Sequence, residues 1–147
     1  MMSVKYSKIL KLNKELEKSL KSSSYSITVL SNIIVQQSKE IIEYTFRSEG
    51  VNANVDFGDY DNIVQDSDKY KKSNTVIIFW ELSNIIDGFQ YKVELLDKNK
   101  LDAIFEKTKS EIDLALKNLN NTSLVLFNTF TSLPFSHSNI KKNKLEY

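Results

Sequence analysis

The chain has 147 residues, the size of one domain with a real core. Its 41% hydrophobic and 11% aromatic content argue against disorder. Twenty basic and 19 acidic side chains leave a net charge of +1, without the basic excess that nucleic-acid binders gather on one face. Lys141, Lys142 and Lys144 form only a short basic tail, so no nucleic-acid partner is expected. The absence of cysteine removes disulfides, thiolate metal sites and a cysteine nucleophile, and fits a reducing compartment. No apolar run approaches the ~18 residues of a membrane span, and the N-terminus is too charged for a signal peptide. A cytoplasmic protein with no membrane partner is the expectation.

From Val4 to Leu20, Ile9, Leu12, Leu16 and Leu20 recur at helical spacing, with a basic outer face. Lys21 to Ser24 ends that helix, and Ser26 to Leu30, "SITVL", has the length and composition of a buried strand. Helical spacing returns from Ile34 to Glu49, where Ile34, Ile41, Ile42, Thr45 and Phe46 share a face. Gly50 stands where such a helix stops, because glycine accepts the left-handed conformation. Val51, Ala53, Val55 and Phe57 then alternate as a strand does. Past Gly58-Asp59 a weaker helical stretch carries Ile63 and Val64. Thr75 to Trp80, "TVIIFW", is apolar on both faces, as a central parallel strand is. Between Leu82 and Asp97 the spacing is nearly helical but Gly88 breaks it. The clearest helix runs from Leu101 to Leu119, with Leu101, Ile104, Phe105, Ile112, Leu116 and Leu119 on one stripe. "SLVLF", Ser123 to Phe127, makes a fourth strand, and polar chain around Pro134 follows.

Strands alternating with helices, at separations too long for hairpins, form parallel β-α-β units. The predicted fold is therefore a three-layer α/β/α sandwich around a mostly parallel sheet. Right-handed crossovers leave few topologies, and strand order 2-1-3-4 is the natural one.

Ligands of open α/β sheets bind outside the carboxyl ends of the strands. Those ends carry Ser31 and Asn32, then Gly58, Asp59 and Tyr60. The third and fourth carry Glu81, Ser83 and Asn84, then Asn128, Thr129 and Thr131. Loops are polar in any case, and either Ser31 or Asn32 is a favoured helix N-cap. Capping is the main duty expected of Ser31. Glu81 directly follows a run that should be buried, so its carboxylate is hydrogen-bonded, paired or neutral unless it has emerged into solvent. Phe79, Trp80 and Phe89 are expected in the core.

The stretches "TVLSN", "EGVNANVDFGDYDNIVQDS" and "TVIIFWELSNIIDGFQY" together resemble the N-terminal domain of FkbH-like proteins. There a domain related to SGNH hydrolases precedes a haloacid-dehalogenase-type domain of class IIIC. Phe57 to Ser67, "FGDYDNIVQDS", is the most specific piece, supported by Trp80 to Tyr91. The resemblance spans residues 25–135, leaving residues 1–24 as an N-terminal helix packed on the domain and residues 136–147 as a polar basic tail. It implies the same SGNH-like three-layer fold. It also implies a setting in which a three-carbon unit is loaded onto an acyl carrier protein for polyketide or surface-polysaccharide assembly. That transfer belongs to the dehalogenase-type domain and its D-x-D-x-T/V nucleophile motif. Here Asp59-Tyr60-Asp61 continues with Asn62-Ile63, so the motif is missing. The resemblance thus implies a module that positions a small polar or acyl substrate, with a carrier protein or an adjacent dehalogenase-type domain as partner.

An SGNH enzyme needs more than this chain offers. Ser31 aligns with the family nucleophile, but Val29-Leu30 stand where Gly-Asp belongs. Asn84 matches the oxyanion asparagine and Gly58, loosely, the oxyanion glycine. The single histidine, His137, follows Pro134 where an Asp-x-x-His would place the aspartate. A serine hydroxyl is a poor nucleophile without a base and its orienting carboxylate. The candidate catalytic set is Ser31, Asn84 and His137; the candidate binding set is Asn32, Gly58, Asp59, Glu81 and Asn128. A degenerate serine esterase or acyltransferase using Ser31 is the alternative. One histidine cannot build a zinc site. Asp59, Asp61 and Asp66 read as complements to a helix dipole before they read as magnesium ligands. Gly58 and Gly88 are isolated, so no phosphate-cradling loop is present. No cofactor is expected.

Overall fold

The structure, a computed structural model, describes residues 5–85 and 95–130. Four runs rich in β-branched and aliphatic residues become strands: β1 (Tyr25–Ser31), β2 (Ala53–Phe57), β3 (Thr75–Phe79) and β4 (Leu124–Phe127). All pair in parallel in the order β2-β1-β3-β4, the order expected from the alternation of elements. The helices are α1 (Tyr6–Ser19), α2 (Lys39–Ser48), α3 (Ile63–Lys69), the short α4 (Leu82–Ile85) and α5 (Lys98–Asn118). They make a three-layer α/β/α sandwich. Among the described residues no helix is long and apolar enough to cross a membrane. Gly88, Phe89, Thr131, Pro134, His137 and the tail 136–147 lie outside the described residues.

Strand alternation sends side chains to two cores. Ile27, Val29, Ala53 and Val55 pack with Ile42 and Phe46 of α2 on one face. Leu30, Val76, Ile78 and Trp80 meet Ile63 of α3 and Ala115 and Leu119 of α5 on the other. Two helical expectations shift. The segment from Ile34 does not start as helix: a 3-10 turn at Gln36–Ser38 precedes α2, and Ile34 is 74% exposed. In α5 the buried line runs through Thr108, Ala115 and Leu119, while Phe105 and Leu116 stand half exposed. A helix pressed against a sheet puts its small residues at the closest approach and turns bulky ones to the flanks. α2 ends as expected, with Gly50 at φ 83° and its N–H on the Arg47 carbonyl (3.0 Å).

The two sheet edges are treated differently. At β2, Glu43 accepts the Val55 N–H (3.2 Å) and the Asn13 side chain (3.1 Å). Arg47 bonds Asn13 (2.9 Å) and reaches Glu43 (3.5 Å) and Glu17 (3.6 Å). Asn13 is the buried residue of α1, so a polar latch as well as the leucine stripe holds that helix, and the network covers an edge amide. At β4, Leu124 and Leu126 remain 43% and 45% exposed.

Candidate functional site

The strand order reverses direction between β1 and β3, the point where ligands of such sheets collect. Ser31 ends β1 there, 7% exposed. Its hydroxyl donates to the Ile33 carbonyl (2.9 Å), and its own carbonyl accepts the Asp61 N–H (3.1 Å). This corrects the capping expectation. A cap oxygen must accept from a first-turn N–H, whereas Ser31 donates to a carbonyl. The N-cap of α2 is Ser38, which makes no side-chain cap bond either. Among the described residues no carboxylate is bonded to the Ser31 hydroxyl.

Asn32 is fully buried and engages both backbone groups of one residue. Its Oδ1 accepts the Glu81 N–H (2.7 Å) and its Nδ2 donates to the Glu81 carbonyl (2.9 Å). Asn128 does the same from the other side, accepting the Trp80 N–H (2.7 Å) and donating to the Trp80 carbonyl (3.1 Å). The end of β3 is thus clasped by an asparagine on each flank. Each amide continues the ladder where the neighbouring strand has stopped, because a carboxamide offers the same donor and acceptor as a peptide group. The Glu81 side chain is half-buried and takes a weak bond from Ser83 (3.4 Å).

The most family-like stretch, Phe57 to Ser67, is organised by Asp66. That carboxylate is buried and accepts the Asp59 N–H and the Asn62 side chain (3.2 Å). Gly58 lies close against it. A Cβ at Gly58 would fall 2.5 Å from Asp66 Oδ2 and 2.7 Å from Leu30 Cδ2. Asp66 therefore faces one backbone N–H and one side-chain amide, and among the described residues no group of three or more His, Asp or Glu is arranged to hold a metal.

A cleft of about 230 Å³ opens on the α3–α5 side of the same rim. Its surface is mostly polar, from Asp61, Gln65, Asn84, Lys107 and Glu111; Ile63 and Trp80 beneath it are only 3% and 4% exposed. Of the candidate catalytic and binding residues that are described, only Asn84 lines it. Asn84 Nδ2 donates to the Asn32 carbonyl (2.9 Å), which leaves Oδ1 toward other partners. Among the described residues the Asp61 and Gln65 side chains make no hydrogen bond, and Lys107 pairs loosely with Glu111 (3.8 Å). Asp61 also holds φ at 56°, a conformation tolerated by aspartate but rarely adopted. Sequence spacing could not join these groups, since they come from the β2–α3 loop, α3, α4 and α5.

No family model matches the chain, and no curated protein matches it. A solved structure does: the N-terminal part of the protein BF1531 from Bacteroides fragilis, containing a phosphatase domain and complexed with Mg. The two share 13% identity at a TM-score of 0.58 over 86% of this chain and 35% of that one. The likeness is one of fold. This chain spans about a third of the longer structure.

Proposed function

We propose that this chain is an SGNH-like, FkbH-type module that positions a small polar or carrier-linked substrate, or an adjoining catalytic domain, without hydrolytic machinery of its own. Three things support the reading. The stretch Phe57 to Ser67 resembles that family, and the sandwich has its layer order. The matching structure of BF1531 contains a phosphatase domain and only 35% of it is covered by this chain, which leaves room there for a separate catalytic unit.

One observation carries it: the hydroxyl aligned with the SGNH nucleophile is buried and donates to its own chain at Ile33. An attacking serine needs that proton directed at a base. The esterase alternative also needs an oxyanion donor, and Asn84 Nδ2 already donates to Asn32. The experiment is hydrolysis of short acyl nitrophenyl esters by the parent and by Ser31→Ala. Equal, background-level rates are expected. Turnover in the parent that disappears in Ser31→Ala overturns the proposal.

A further inference from the structure

Each edge strand of the sheet leaves one row of side chains bare. On β2 that row is Asn54 and Asp56, both exposed and both polar. On β4 it is Leu124 and Leu126, 43% and 45% exposed. Val125 and Phe127 alternate with them and pack into the core on the other face. The register sets Leu126 beside Ile77 of β3, so the leucines extend a strip of half-buried apolar side chains that includes Phe79.

The backbones of the two edges differ in the same sense. At β2 the Val55 N–H is taken by Glu43. At β4 the Leu124 N–H goes to the Asn74 carbonyl and the Asn128 N–H to that of Ile78. The alternation of a strand then points the Val125 and Phe127 N–H groups away from β3, and among the described residues nothing accepts them. Proteins blunt such an edge with charge or proline. From Leu119 to Phe130 there is no Asp, Glu, Lys, Arg or Pro. Nor does the chain leaving β4 turn back over the leucines. Asn128 fastens to Trp80 (2.7 Å), and Phe130 packs edge-on to Phe127 (5.9 Å) in the core of the opposite face.

An open, uncharged edge beside bare leucines is complementary to a second copy of itself. Two copies related by a twofold axis meet antiparallel, and directly opposite residues then share a face. Centred on Val125, the pairing sets Leu124 against Leu126 of the partner subunit, and no like charges meet. With β2 closed by Glu43, a β4 edge has no other edge to join, so assembly stops at two copies and does not grow into a filament. We propose that the chain forms a twofold dimer through β4, which joins the two four-stranded sheets into one. The dimer goes beyond the positioning role and stands without it.

Sedimentation equilibrium of the full chain over a concentration series tests this. The mass is expected to rise from one chain to two, with no larger species. Leu126→Lys alters an exposed side chain, so the monomer keeps its fold, but it buries an unpaired charge from each copy in the joined row. The dimer should weaken at least about tenfold. Asp56→Lys, on the closed β2 edge, should leave it unchanged. Amide exchange on the unaltered chain needs no variant: the Val125 and Phe127 N–H groups should slow as the concentration rises. A single-chain mass up to the solubility limit overturns the proposal. So does a dimer indifferent to Leu126→Lys or equally weakened by Asp56→Lys, or Val125 and Phe127 exchange that is independent of concentration.

Discussion

Asn32 and Asp61 stand one loop apart on the same rim, and they treat hydrogen bonding in opposite ways. The Asn32 amide is fully buried and both its ends are fixed on the Glu81 backbone. The Asp61 carboxylate lines a cleft and has no bonding partner among the described residues. Both are short polar residues at strand ends, and a list of such residues treats them alike. The difference teaches that a polar rim is two things at once. One half finishes the sheet, replacing ladder bonds that the strands no longer supply. The other half stays exposed and, among the described residues, without such bonds.

The largest expected effect of that division is on stability. Asn32→Ala strips two backbone groups of Glu81 of their partners in a buried setting, a cost of about 3 kcal/mol. Asn128→Ala removes the matching clasp where the rim is only half-buried and should cost about 1–2 kcal/mol. Ser31→Ala loses one hydroxyl bond, about 1 kcal/mol or less. Urea unfolding of the three variants gives the ranking. If Ser31→Ala proves as damaging as Asn32→Ala, the clasp is not what closes the strand ends.

A smaller effect touches the far wall of the cleft. Asp97 caps α5 by accepting the Lys100 N–H (2.9 Å), and the Lys100 backbone and side chain hold its carboxyl below the usual aspartate range. A depressed folded value means the stabilisation is present above the unfolded pKa and is lost as pH falls through the folded one. Acidification below about pH 4 should therefore fray the first turn of α5, seen as faster amide exchange at Lys100 and Leu101. Unchanged exchange there would show that the cap does not hold the turn that leads to Lys107 and Glu111.

The sheet was legible because its information is local. Each strand is a short β-rich run, each crossover is long, and handedness removes most alternatives. The helix faces were less so. Ile34 fits a helical stripe, yet the chain between β1 and α2 bends and makes a 3-10 turn first, and only packing decides where the helix begins. In α5, Thr108 and Ala115 displaced Phe105 and Leu116 from the closest approach, because that depends on the sheet beneath and not on hydrophobicity along the helix. The site was legible in position and not in orientation. That Asn32 would sit at a strand end could be read; that its amide would turn to Glu81, 49 residues away, could not. The cleft draws Asp61 and Gln65 together with Lys107 and Glu111, a juxtaposition with no counterpart in spacing along the chain.

Hydrogen exchange of the side-chain amides, read by NMR on the unaltered protein, tests the division of the rim most directly. The Asn32 and Asn128 NH₂ groups, held on carbonyls, should exchange far more slowly than that of Gln65, which lines the cleft with no bond among the described residues. An Asn32 amide exchanging as fast as the Gln65 amide would contradict it.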